Sequence, residues 1–262
     1  MTISNAERAS DFLWDLWEKG EVAEGLPPEL APKTREEGYA IQFHLDGRSE
    51  KPLAGWKIAA SNRAGQEHLG VDGPLAGRIL AERVVKPGAT VSLSHNRMRV
   101  CEPEFAFRLE RDIPPRETPY SVEEVLNLVD ALHLVLELPD SRFKDFATVG
   151  GPALIADNAC AHDLVLGPPV AIEWRRLDLA SHPVKAYVAG KYDREGSGAN
   201  VLGDPRIALA WLINEVTGLG LTMRAKEFVT TGTSTVPLEI VEGDDVMADF
   251  GELGQIQVYI AA

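Results

Sequence analysis

Glu102 and Glu104, in Arg99-Val100-Cys101-Glu102-Pro103-Glu104-Phe105-Ala106-Phe107, are the pair whose type and spacing point most directly to chemistry. In a strand, residues i and i+2 share a face. Glu102, Glu104 and Ala106 then project from one side, and Phe105, Phe107 and Leu109 from the other. Neighbouring carboxylates on a mostly apolar strand repel each other and lose hydration. A hard divalent cation removes both problems, because Mg²⁺ and Mn²⁺ prefer oxygen ligands. The competing reading is a solvent-facing edge strand, which suits Pro103 because proline cannot donate to a ladder.

Two further residues belong to the same question. Glu137 is the single carboxylate in the apolar run Leu132-His133-Leu134-Val135-Leu136-Glu137-Leu138, and a buried glutamate needs a partner. A salt bridge to an arginine such as Arg142 would supply one, and so would a shared cation. With three carboxylates, waters or substrate oxygens would complete an octahedral magnesium-type site. Lys57 lies in the apolar stretch Leu53-Ala54-Gly55-Trp56-Lys57-Ile58-Ala59-Ala60. It either snorkels to the surface or serves a site, where desolvation would lower its pKa and fit it to move protons or hold an anionic substrate.

These side chains need a folded core to position them, and 262 residues suffice for one large domain or a core with an N-terminal appendage. We divide the chain into an N-terminal helical segment, residues 1–50, and a catalytic domain, residues 51–262. The net charge of −14 argues against nucleic acid or an anionic membrane surface as a partner. A small anionic substrate stays compatible, since a metal can invert the local field. Cys101 and Cys160 form no C-x-x-C motif and fit a reducing cytoplasm. No segment has the length of a membrane span or the pattern of a secretory leader.

Capping patterns mark the helices. Ser4 and Glu7 precede Phe12, Leu13, Leu16 and Trp17, predicting a helix that ends near Gly20. Thr34 with Glu37 opens a second helix, to about Gly47. Ser121 with Glu124 opens a third, carrying Val125, Leu126, Val129 and Leu132. Asp204-Pro205 opens a fourth, ended by Gly218 and Gly220. Strands are expected near 79–84, 88–93, 99–109, 133–138, 164–167, 183–190, 227–230, 236–240, 245–250 and 255–260. Gly196-Ser197-Gly198-Ala199-Asn200 lacks phosphate-loop spacing and reads as a turn. His162 and His182 read first as structural histidines, and no G-x-S-x-G elbow is present.

Taken in order, these segments resemble the fumarylacetoacetate hydrolase superfamily, and within it the 2-hydroxypenta-2,4-dienoate hydratase and 4-oxalocrotonate decarboxylase branch. The resemblance runs through Gly38-Tyr39-Ala40-Ile41-Gln42, Gly55-Trp56-Lys57-Ile58, Leu69-Gly70-Val71-Asp72, Glu102-Pro103-Glu104 and Glu137 with Asp140-Ser141-Arg142. It continues through Ala156-Asp157-Asn158-Ala159, Leu202-Gly203-Asp204-Pro205 and the closing segment from Pro237 to Gly254. It implies an α+β, β-rich fold with rolled mixed sheets, a Mg²⁺ or Mn²⁺ ion and a homo-oligomer. It assigns Glu102, Glu104 and Glu137 as metal ligands and Lys57 as the active-site lysine. Three positions depart from the hydratase pattern. Leu75 follows Pro74 where hydratases tend to place an aspartate, Cys160 stands where they carry serine, and Thr230-Thr231-Gly232-Thr233 is closer to the wider superfamily.

The implied chemistry is a metal-dependent lyase acting on a 2-hydroxy-dienoate or 2-oxo acid. The cation would chelate the carboxylate and 2-oxygen and stabilise an enolate. Lys57 would hold substrate or shuttle a proton, with Asp72 and His68 as further proton-transfer candidates. The alternatives are decarboxylation of a 2-oxo-dioate, hydrolytic C–C cleavage of an acylpyruvate, and a catalytically weak dicarboxylate-binding homologue.

Overall fold

The computed structural model describes residues 3–262. The chain begins with α1 (Asn5–Lys19), where Ser4 accepts from the Glu7 amide and Gly20 closes the helix in the left-handed conformation. Thr34 caps α2 (Arg35–Gln42) in the same way. Then come β1 (Gly55–Ala59), α3 (Arg63–Leu69), β2 (Leu75–Ile79), β3 (Val84–Val85), β4 (Thr90–Val91) and β5 (Val100–Leu109). A reciprocal capping box between Ser121 and Glu124 starts α4 (Val122–Leu126), which leads into β6 (Val129–Leu138), α5 (Gly151–Ala156), β7 (Asp163–Pro169), β8 (Pro183–Val188) and β9 (Tyr192–Ser197). Asp204 caps α6 (Pro205–Gly218), and β10 (Phe228–Thr233), β11 (Leu238–Glu239), β12 (Asp245–Asp249) and β13 (Gln255–Ile260) complete the fold.

The main sheet runs β2-β1-β10-β5-β6-β7-β3, with β11 paired to the start of β5, and a second sheet runs β4-β13-β12-β8-β9. The main sheet cannot be flat. Its edge strands β2 and β3 are joined between Ile79 and Val84, a link that reaches at most about 18 Å. Seven flat strands would separate those edges by about 29 Å. The sheet therefore curls, and Ile79, Ala106, Val135 and Leu164, drawn from β2, β5, β6 and β7, meet in one cluster inside the roll. The outer face carries Phe105 and Phe107, which pack on Phe250 and Trp174 at 5.1 and 5.6 Å between ring centroids.

Several local expectations change. The third helix stops at Leu126, and Val129 and Leu132 belong to β6. Their spacing continues the helical period by coincidence, and pairing with β5 decides their conformation. The 79–84 segment is a turn joining β2 and β3, while β2 and β9 and the short helices α3 and α5 were not anticipated. Pro103 does not mark an edge, because β5 lies between β10 and β6. Proline is tolerated there because β10 bulges between Thr230 and Thr233, and the Pro103 carbonyl accepts from the Ser234 amide just beyond.

Candidate metal centre

The expected face holds. Glu102 opposes Glu137 and Glu104 opposes Val135 in the β5–β6 ladder, so the three carboxylates share the interior face of the roll. One ligand atom from each of Glu102, Glu104 and Glu137 lies within 4.8 Å of the others. Glu104 and Glu137 are buried and Glu102 is half-buried. Glu104 is aimed by the bulge: the Gly232 amide donates to its Oε2 at 2.8 Å. Gly232 has φ 103°, and a β-carbon there would stand 1.9 Å from Ser61 Oγ, so only glycine fits.

Lys57 enters the same site. Its Nζ lies 3.1 Å from Glu137 Oε1 and donates to the Ala159 carbonyl at 3.2 Å. This corrects two expectations. The cation beside Glu137 is Lys57, while Arg142 is committed to Asp157. The lysine's pKa is raised rather than lowered: burial is the largest effect and pulls it down, but Glu137, Glu102 and Glu104 together outweigh it. Lys57 is therefore held as an ammonium.

Residues 158–160 build the support for that lysine. Asn158, Ala159 and Cys160 all have positive φ, at 57, 49 and 60°, an uncommon run for residues with side chains. Asn158 repays it by pairing with β2 as a strand would: its Oδ1 accepts from the Arg78 amide at 2.6 Å and its Nδ2 donates to the Arg78 carbonyl at 2.9 Å. Asp157 accepts from Ser141 Oγ at 2.6 Å and from the Arg142 guanidinium. The Cys160 thiol, buried and close to Asp157, is pushed up to about 12 and stays neutral. Asn158 and Ala159 carry part of the family resemblance, but nothing in Asn-Ala-Cys signals a left-handed turn. Gly232 was detectable as a glycine inside a strand, a bulge signal.

The site residues fit a divalent cation. Glu104 Oε1 and Glu137 Oε2 are buried without any hydrogen-bond partner, so acceptor capacity converges where only one ammonium is available. Burial, followed by the Glu137 charge, pushes the Glu102 carboxyl up to about 7 against the opposing pull of Lys57. Burial and the Glu137 and Glu102 charges hold Glu104 well above the usual carboxylate range. Three oxygen donors under mutual repulsion form the donor set a hard cation stabilises.

The other candidates lie elsewhere. His68 and Asp72 are exposed, with His68 edge-on to Phe146 at 6.0 Å. The His182 ring nitrogen Nε2 engages the Phe250 carbonyl at 2.7 Å, and His162 stacks on Trp17 at 5.4 Å. Leu75, at the position where an aspartate was expected, is fully buried and faces Ala59 across the β1–β2 ladder.

No family model matches the chain. The 2-keto-4-pentenoate hydratase of Paraburkholderia xenovorans (strain LB400) is 28% identical over 260 residues, covering 98% of this chain and 95% of that protein. A 4-oxalocrotonate decarboxylase of Pseudomonas sp. is 26% identical over 241 residues, covering 90% and 91%. The structure of 4-oxalocrotonate decarboxylase from Pseudomonas putida G7, complexed with magnesium and adipate, matches with a TM-score of 0.89 at 20% identity, covering 99% of this chain and 98% of that one. The rolled sheet, the glutamates it gathers and these full-length likenesses agree: the chain has the fold of 4-oxalocrotonate decarboxylase and is similar over nearly its whole length to 2-keto-4-pentenoate hydratases and 4-oxalocrotonate decarboxylases.

Proposed function

We propose that this chain is a divalent-metal-dependent hydro-lyase that converts a 2-hydroxy-dienoate, through its 2-oxo form, to the hydrated 2-oxo acid. The observation that carries this reading is the convergence of Glu102, Glu104, Glu137 and Lys57, with two carboxylate oxygens unpartnered. Hydratase-named relatives support it.

Glu102, Glu104 and Glu137 would hold Mg²⁺ or Mn²⁺, and the magnesium in the decarboxylase structure favours the first. When bound, the ion supplies Lewis-acid stabilisation of negative charge on the 2-oxo acid. The chain's own groups orient and protonate. The Gly232 amide fixes Glu104. Glu137 and the Ala159 carbonyl fix Lys57 Nζ, which as an ammonium binds a substrate oxygen and can deliver a proton there. Burial of Lys57, Glu104 and Glu137 limits bulk water around the reacting atoms. Asp72 and His68 stay in the proposal as exposed groups for proton exchange with solvent. A homo-oligomer in a reducing cytoplasm completes the reading; both cysteines are free, and light scattering tests the assembly.

The test is loss of the ultraviolet absorbance of 2-hydroxypenta-2,4-dienoate while Mg²⁺ or Mn²⁺ is titrated. Metal-dependent loss with the hydrated 2-oxo acid as product supports the hydratase. A second reading, decarboxylation of a 2-oxo-dioate, is favoured by the decarboxylase likenesses, and metal-dependent CO₂ release from such a substrate would establish it instead.

A further inference from the structure

Besides Glu104 Oε1 and Glu137 Oε2, the interior face of the roll holds an unpartnered buried hydroxyl, Thr230 Oγ1. Thr230 opposes Ala106 in the β10–β5 ladder, and Ala106 shares its face with Glu104. On the other side, the parallel β1–β10 ladder pairs Trp56 with Val229, so the next residues, Lys57 and Thr230, are neighbours on the same face. Thr230 thus sits between the lysine and Glu104.

Its neighbours sharpen the point. Thr231 Oγ1 donates to the Phe105 carbonyl at 3.0 Å, and Thr233 Oγ1 to the Thr235 carbonyl at 2.9 Å. Thr230, fully buried, has no such outlet. A hydroxyl can donate and Glu104 Oε1 can accept, and the two residues are diagonal neighbours, yet neither atom has a partner. A buried unmade hydrogen bond is costly, and valine has nearly the same shape without that cost. The hydroxyl and the carboxylate oxygen are therefore both free for a third group between them.

We propose that Thr230 is a substrate-binding residue whose hydroxyl donates a hydrogen bond to an oxygen of a 2-oxo acid lying between Lys57 and Glu104. This rests on the 2-oxo-acid reading of the site, but not on which reaction follows.

Calorimetric titration of pyruvate into the Mg²⁺-saturated protein tests it without turnover. Thr230→Val should weaken pyruvate about tenfold, and Thr230→Ser should restore most of the affinity. The valine variant should keep Mg²⁺ affinity within about twofold and melt at or above the wild-type temperature, because it removes an unsatisfied group. Should valine fail to fold, Thr230→Ala carries the same comparison. Pyruvate affinity within about twofold of wild type, a parallel loss of Mg²⁺ affinity, or no pyruvate binding by the loaded wild type would each overturn the assignment. Pyruvate binding that depends on Thr230, without turnover of the dienoate, would sink the hydratase reading and leave this one standing.

Discussion

Lys57 Nζ lies 3.1 Å from Glu137 Oε1 although their strands stand three places apart in the sheet. The pair crosses the inside of the roll, so curling of the sheet and assembly of the site are one event. The geometry also explains why a lysine is stable there: it answers three carboxylates.

Lys57→Met separates the roles of that ammonium. Leaving the carboxylates uncompensated should destabilise the metal-free protein by about 3 kcal/mol, or about 6–12 °C in thermal midpoint. Mg²⁺ should restore much of that loss, while turnover should fall at least about 100-fold. Calorimetry with and without Mg²⁺, beside a rate assay, checks both. Wild-type turnover would remove Lys57 from the chemistry.

The raised carboxyls set a pH dependence. Glu102 is raised from its ordinary value of 4.5 to about 7 by burial and then Glu137, against Lys57. The folded, metal-free protein thus holds protons that the unfolded chain has released. Its contribution to stability is complete below the unfolded value and is lost as pH rises through about 7. Urea midpoints in chelator should therefore be lower at about pH 8 than at about pH 5.5, and Mg²⁺ should reverse the loss at the higher pH. A midpoint that rises over this range would refute the electrostatic account.

Asn158→Ala should remove both hydrogen bonds to the Arg78 backbone from a residue already in a left-handed conformation. We expect a loss of about 2–3 kcal/mol and lower turnover, because the Ala159 carbonyl no longer holds Lys57. Asn158→Gly tolerates the backbone angle and should isolate the cost of the side-chain bonds. Thermal melts of the two variants, with a rate assay, measure this, and an Asn158→Ala variant melting with wild type would refute it.

Helix starts were legible because capping is local: Ser4, Thr34, Ser121 and Asp204 each bond within three residues. The glutamate face was legible because strand alternation is local too. The partner of Glu137 was not legible in the residue pattern, because alternation within a strand does not say that β1 and β6 meet inside a roll; the family resemblance alone placed Lys57 and Glu137 in one site. β2 was obscured by Gly77, whose lack of a side chain admits the Asn158 carbonyl to within 2.4 Å of where a β-carbon would stand. The end of α4 was obscured because Val129 and Leu132 keep a helical spacing inside a strand.

Asp157→Asn tests the buried pair beneath the site. Asp157 is fully committed to Arg142 and Ser141, and Arg142 also stacks on Trp17 of α1 at 4.4 Å. Breaking the pair should cost about 3–5 kcal/mol, read as a lower denaturant midpoint. A change below about 1 kcal/mol would show that the pair is dispensable.

The central claim is that Glu102, Glu104 and Glu137 form a cation site, and calorimetric titration of Mg²⁺ into wild type and Glu104→Gln tests it most directly. The account predicts saturable binding by the wild type and affinity at least about 100-fold weaker in the variant. It also predicts a metal-free variant at least as stable as the wild type, because one repelling charge is gone. No Mg²⁺ binding by the wild type, or equal affinity in the two proteins, would contradict it.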